Sequence, residues 1–242
     1  MATKIIPHFT DDLRGVSAAN GTTKAKIERA ALWLFSEHGI DGVSTKSIAA
    51  QAGVSEGLIY RYFKNKEDLA RELMLAIHNR LTQMIKEAGK SEDCLAAQIR
   101  HITRRYCEIA DDDWTLFRYH ILHISRFSGL SEKPSKSPHG AAASLLRKAM
   151  QRGEIAKMNP NILAAMALGV VLQPAHSKVL GTISGLLSTH APLFEKAFWP
   201  YSALTQKRIS PCAHYSLMSS FCSSLFFTPL SVRASPCFQG AN

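Results

Sequence analysis

STKSIAAQAGVSEGLIYRYFKNK, residues 44–66, is the stretch whose reading decides the fold. Its apolar positions, Ile48, Ala49, Ala52, Val54, Ile59 and Phe63, follow a 3.6-residue period that breaks at Gly53. A residue able to take a positive φ at that break lets the chain turn sharply, so the segment reads as two short helices around a tight turn. Small Ala49 lets the second helix cross close over the first, and Val54 and Ile59 seal the corner. This is a helix-turn-helix, and its second helix, over residues 55–63, has one face open to a DNA major groove.

Upstream, Ile27, Ala30, Ala31, Leu34 and Phe35 make the one-sided stripe of a helix over residues 23–38, with Gly39 just past its end. Ser44 stands where an N-cap belongs. Downstream, Asn65 caps a longer helix that begins near Lys66 and runs through Leu69, Leu73, Ile77, Leu81 and Ile85 towards Glu87. The period stays helical beyond residue 91, with helices expected over 91–110, 113–127, 140–152 and from 159 to 171 or a little further, and no strand. Gly129, Pro134 and Pro138 make residues 128–139 a loop, Asn159-Pro160 is a helix start, and Pro174 is expected to kink or end the helix that follows. Residues 1–22, with Pro7, Gly15 and Gly21, read as a flexible arm. The stretch 201–242 has no acidic residue, three of the five cysteines and much Ser and Phe, and is read as an atypical, poorly ordered tail.

Residues 23–74 resemble the amino-terminal domain of the TetR family of bacterial transcriptional regulators. The resemblance rests on Ala31, Phe35 and Gly39, on Ile48-Ala49 and Gly53-Val54-Ser55 around the turn, and on Gly57, Tyr60, Tyr62-Phe63, Lys66 and Leu69 after it. It implies an all-α, TetR-like fold: a three-helix DNA-binding head over residues 23–68 and a helical effector-binding and dimerisation bundle over 69–200. In the family an acid stands three residues after the Ser44 cap; Ser47 stands there here, so a weaker capping box is expected.

Composition agrees with a DNA partner without requiring it. The chain of 242 residues carries 29 basic and 19 acidic residues, a formal net charge of +10, and a surface of this sign favours polyanions through counterion release. The apolar run 162–172 is far shorter than the ~20 residues of a membrane span, and the first residues hold acids and no apolar core of a signal peptide. A cytoplasmic, nucleoid-associated protein without membrane contact is therefore expected. Cys94, Cys107, Cys212, Cys222 and Cys237 form no metal-ligand spacing and read as idle or buried thiols. Neither a G-x-S-x-G elbow, a phosphate-binding glycine loop nor an H-E-x-x-H pair is present, so no enzyme, metal or cofactor is expected.

The residues that would meet DNA follow from position on the two short helices. Ser55, Glu56 and Gly57 form the front of the second helix: Ser55 can donate to a base or phosphate, Glu56 can accept from a cytosine amine or merely complement the helix dipole, and Gly57 permits close approach. Tyr60 projects one turn later on the same side, and the resemblance implies that it touches DNA. Arg61 suits guanine or a phosphate clamp, and Tyr62 a phosphate. Ser44, Thr45 and Lys46 lie at a helix start that attracts phosphate. Lys66 matches a lysine that holds backbone phosphate in relatives.

The resemblance also implies a small-molecule effector bound in the body and a homodimer formed by the last two helices, here drawing on residues 162–172 and 191–199. Trp114, Phe117, Arg118, His120 and His123, with His101, are the candidate ligand residues; a core stripe with a solvated basic face is an equal alternative. The resulting expectation is a repressor released from a palindromic operator by its effector. The rivals are a helical carrier or enzyme with a vestigial head and an architectural DNA binder without an effector.

Overall fold

The computed structural model describes residues 14–127, 129 and 136–202. Its elements are α1 (Thr23–His38), α2 (Thr45–Ala52), α3 (Glu56–Tyr62), α4 (Lys66–Ser91), α5 (Leu95–Asp112), α6 (Trp114–His123), α7 (Pro138–Gln151), α8 (Pro160–Val179) and α9 (Ala191–Ser202), with a 3-10 turn at Ser188–His190 before the last. No strand occurs among the described residues. The architecture is the all-α, TetR-like one: a head of α1 to α3 and a helical body.

The head is built as the apolar period requires. Gly53 takes the left-handed conformation (φ 67°, ψ 35°). Its N–H bonds to the Ala50 carbonyl, and the Val54 N–H bonds to Ala49, so the exposed end of α2 is closed by a Schellman motif. Ile48, Ile59 and Phe63 are buried beneath the corner with Ile27, Ala31 and Phe35 of α1. Ser44 accepts from the Ser47 N–H (3.0 Å) and the Ser47 hydroxyl accepts from the Ser44 N–H (3.1 Å). A second serine thus completes the capping box where an acid was expected, since a hydroxyl oxygen accepts as a carboxylate does, though with less charge.

Helix α1 is covered on two sides, by α2 and by α6. Its burial extends to two charged residues. The Glu28 carboxylate, wholly buried, accepts the amides of Val16 (2.7 Å), Ser17 (3.1 Å) and Ala18 (3.3 Å). Residues 14–18, assigned to a flexible arm by their lack of period, are therefore fastened onto α1; residues 1–13 lie outside the described residues. Arg29 pairs with Asp113 at 2.6 Å, both nearly inaccessible, and Asp113 also caps α6 by accepting the Leu116 N–H (3.1 Å).

In the body, α7 packs on α8 and α4, and α5 on α4, α6 and α9. One core runs from Phe35 and Leu69 through Tyr119 and Phe117 to Leu146 and Phe198. Five boundaries differ from the periodicity, the first being α5, which begins at Leu95 rather than 91. Helix α4 continues through Gly89 to Ser91, α6 ends at His123 rather than 127, and α7 begins at Pro138, which serves as a first-turn proline. Helix α8 continues past Pro174, which removes only the donor that would meet the Val170 carbonyl, and reaches Val179. At 20 residues α8 is long and apolar enough to cross a bilayer by length and composition, with only 22% of its most apolar window buried. The atypical tail, from residue 203 onwards, lies outside the described residues.

Replacing Asp113 by Asn preserves a capping acceptor but removes the Asp113 charge from beside the buried Arg29 guanidinium. Asp113→Asn is expected to cost about 3 kcal/mol in urea unfolding, in the range for breaking one side of a buried ion pair; a cost under about 1 kcal/mol would show that the pair does not hold α1 to the body.

Candidate nucleic-acid interface

Helix α3 presents two unlike faces. Ile59 is fully buried, whereas Tyr60 is 52% and Tyr62 42% exposed, and Ser55, Gly57 and Arg61 also face solvent. The exposed set has little to do inside the protein. Ser55 occupies the N-cap position without making a side-chain cap, so its hydroxyl is not consumed there. A Cβ on Gly57 would meet nothing within 4 Å. Glycine in a helix costs roughly 0.5–1 kcal/mol relative to alanine, and no contact among the described residues accounts for it at this position.

Thr45, at the first position of α2, joins the two helices. Its hydroxyl donates to the Glu56 carboxylate, which leaves the Tyr60 hydroxyl as donor to Thr45 Oγ1 (3.2 Å). Glu56 is therefore half-buried and engaged, and Tyr60 is held in one orientation with its ring in solvent. Lys46 is exposed beside them, and Ser44 is committed to the capping box. Lys66, half-buried, donates to the carbonyls of Val43 (2.8 Å) and Asp41 (3.3 Å), tying the loop before α2 to the start of α4. Of the ten residues expected at DNA, Lys46, Ser55, Gly57, Tyr60, Arg61 and Tyr62 present exposed side chains or backbone on one end of the head. Thr45, Glu56 and Lys66 brace that surface.

The six candidate ligand residues do not converge. Among them only His120 borders the apolar cavity of about 160 Å³ enclosed by α4, α5, α6, the start of α7 and α8. Burial, with the neighbouring His78, pushes His120 down to about 3, so both imidazoles stay neutral in a wall otherwise formed by residues such as Leu81, Met84, Ile102 and Leu172. Phe117 is core, edge-on to Tyr106 at 4.8 Å. Trp114 lies under the Lys178 ammonium at 4.4 Å, and His101 pairs with Glu92 on the half-exposed side of α5. Arg118 and His123 face α1: Arg118 pairs with Glu37, and His123 Nε2 donates to the Phe35 carbonyl (3.1 Å). Just beyond α6, Arg126 grips Asp41 with both terminal nitrogens (2.7 and 2.8 Å) and reaches Glu67; this holds the Asp41 carboxyl below its ordinary range. Tyr119 donates to the Ala70 carbonyl of α4 (2.7 Å). The second half of α6 is thus a joint between body and head. In the sequence the cavity wall reads as packing on α4 and as a dimer face on α8, because a stripe around a cavity has the same period as a stripe in a core or an interface.

Residues 27–73 match the family described as bacterial regulatory proteins, tetR family. The chain is 40% identical over 78 residues to the fatty acid metabolism regulator protein of Bacillus subtilis, covering 31% of this chain and 40% of that protein. It is 35% identical over 77 residues to the nucleoid occlusion factor SlmA of Haemophilus ducreyi, covering 32% and 38% respectively. The chain therefore spans about two fifths of the length of these curated relatives. Among solved structures it superposes on FadR of Bacillus subtilis in complex with stearoyl-CoA, with a TM-score of 0.64 at 21% identity over 72% of this chain and 96% of the other. The fatty acid degradation regulator FadR of Bacillus halodurans gives the same TM-score at 19% identity and the same coverage. Likeness at this identity establishes the fold.

The unaccounted glycine generates a test with two readouts of opposite sign. Gly57→Ala is expected to raise unfolding free energy by about 0.5–1 kcal/mol while weakening duplex binding at least several-fold in a gel-shift titration. Unchanged binding would remove Gly57 from the interface.

Proposed function

From the tetR-family domain of bacterial regulatory proteins that this chain carries over residues 27–73, we infer a transcriptional repressor that binds a palindromic operator and releases it when a small molecule enters its body. The observation that carries this reading is the division of α3 into a wholly buried Ile59 side and an exposed side of Ser55, Gly57, Arg61 and the Tyr60 ring, of which only the Tyr60 hydroxyl has a bond within the head among the described residues. Base edges fall to Ser55, Tyr60 and Arg61, with Gly57 allowing the backbone near; Thr45, Lys46, Tyr62 and Lys66 serve the phosphates, and Ser44 and Glu56 orient them. Lys66 keeps one N–H beyond its two carbonyl contacts for that purpose. We assign residues 23–68 to the head and 69–200 to the body.

Two heads are needed to read a palindrome, and apolar side chains on the last helices support a homodimer. Ile162 and Met166 of α8 and Leu193 of α9 are exposed by 60%, 40% and 63%. A partner helix pair would cover them. The chain is accordingly a binding protein acting on DNA in the cytoplasm rather than an enzyme.

The effector site is the cavity behind α6. One side of α6 brings His120 to the cavity, and its second half holds α1 through Arg118 and His123. A ligand that widens the cavity displaces α6 and with it the head, so effector and DNA favour different members of one conformational equilibrium. Structural likeness to FadR proteins, one solved with stearoyl-CoA, supports an effector with an apolar body. The cavity favours this over a DNA binder without an effector.

Selection of bound fragments from random duplex DNA, followed by gel shifts across a salt series, tests the reading. A recurrent palindrome and a steep loss of affinity with salt are expected. Arg61→Ala is expected to lose about 1–3 kcal/mol at the selected operator and to relax preference at one position, whereas Lys66→Ala weakens all duplexes alike and lowers the salt slope by about 1. Binding without sequence preference would support the architectural rival.

A further inference from the structure

Lys86 and Lys90 stand one turn apart on α4, and Lys148 and Arg152 one turn apart on α7. Each pair is a like-charge i, i+4 arrangement, which by itself disfavours its helix. The fold then sets the two pairs around one cleft of about 280 Å³ between α4 and α7, and no acidic side chain lines it. Arg152 bonds to Glu154 outside the cleft lining; Lys86, Lys90 and Lys148 make no ion pair among the described residues. Gln98, 2% exposed, also lines the cleft: its amide nitrogen donates to the Glu92 carbonyl (2.9 Å), and its buried carbonyl oxygen has no partner.

This cleft is not part of the DNA surface. Lys86 and Lys90 lie 20 and 24 residues along α4 from Lys66, roughly 30–36 Å at the helical rise of 1.5 Å per residue. It does adjoin the apolar cavity. Ile85 lines both, and the cavity's edge at Pro138 and His139 passes directly into the cleft's Gly140 and Ala141 at the start of α7.

We propose that the cleft binds the phosphates of an amphiphilic ligand whose hydrocarbon tail passes Ile85 into the adjoining cavity. The positive groups answer a multiply charged head, since a single carboxylate needs one cation and this site offers three ammonium groups without an ion pair among the described residues, beside Arg152. The neutral, apolar cavity answers a tail. A volume near 150 Å³ accommodates a ligand the size of benzene, so the cavity takes a short chain or the leading part of a longer one. The ligand chemistry is that of a phosphorylated alkyl or acyl compound, from either an acyl nucleotide thioester or a phospholipid. Only its effect on DNA rests on the repressor reading; binding stands or falls separately.

Calorimetric titration of the full chain at fixed salt tests this with octanoyl-CoA, an eight-carbon lysophosphatidate, coenzyme A, octanoate and inorganic phosphate. At least one of the two tailed phosphates is expected to bind at least tenfold more tightly than coenzyme A, octanoate or phosphate, and the tighter of the two identifies the source. The double variant Lys90→Gln, Lys148→Gln removes two exposed charges that contribute nothing to the core, and is expected to raise that Kd by about tenfold while leaving octanoate affinity unchanged. Equal binding of octanoate, equal binding of coenzyme A or phosphate, no binding of either tailed compound, or a double variant within twofold of the parent would each overturn the proposal. A gel shift on the same preparations separates the two readings. DNA binding with failed titrations removes this site and leaves the repressor, and successful titrations without DNA binding do the reverse.

Discussion

A guanidinium withdrawn from water must be matched by an opposite charge, and the matching of Arg29 by Asp113 is the constraint on which the molecule turns. Arg29 sits in the middle of α1, which packs on α2 of the helix-turn-helix corner and on α6 of the body. Asp113 is the residue at which α5 stops and α6 starts. Their pairing fixes the beginning of α6 against the head, and from there Arg118, His123 and Arg126 reach the end of α1, the loop after it and the first turn of α4. The buried pair carries more of this than the surface pair from Arg126, which is screened by solvent. Stability is one consequence and positional control another: the head rests on two supports, the first turns of α4, tied to it by Lys24 and Lys66, and α6, so a shift of α6 bears on its orientation.

The head was legible in the chain because its signals are local. Gly53 and the 3.6-residue period on either side of it, Ser44 and Asn65 as caps, and Asn159-Pro160 as a start all act within a few residues, and each appears at the expected place. What was not legible depends on residues distant in sequence. Nothing near Val16 announces that its amide will meet Glu28. The aromatic and basic residues of α6 are adjacent along the helix but face different neighbours, so Phe117 fills the core, His120 borders the cavity and Arg118 holds Glu37. No local signal joins Lys86 and Lys90 to Lys148 and Arg152, which meet only where α4 and α7 lie side by side. Pro174 shows the converse, a strong local signal overridden by packing on both sides of it.

The division of labour at the reading surface has a consequence for descent. The Ser55 and Arg61 side chains are exposed and Gly57 has open space beside it, while Thr45, Glu56 and Tyr60 are bound to one another across the corner. A gene copy can therefore exchange any of the first three with little penalty to folding and, on the proposed function, change its target site one substitution at a time. Changes among the second three break a bond that the scaffold uses. Lineages that duplicate such a protein are expected to diversify at the unburdened positions first and to inherit the bonded trio intact.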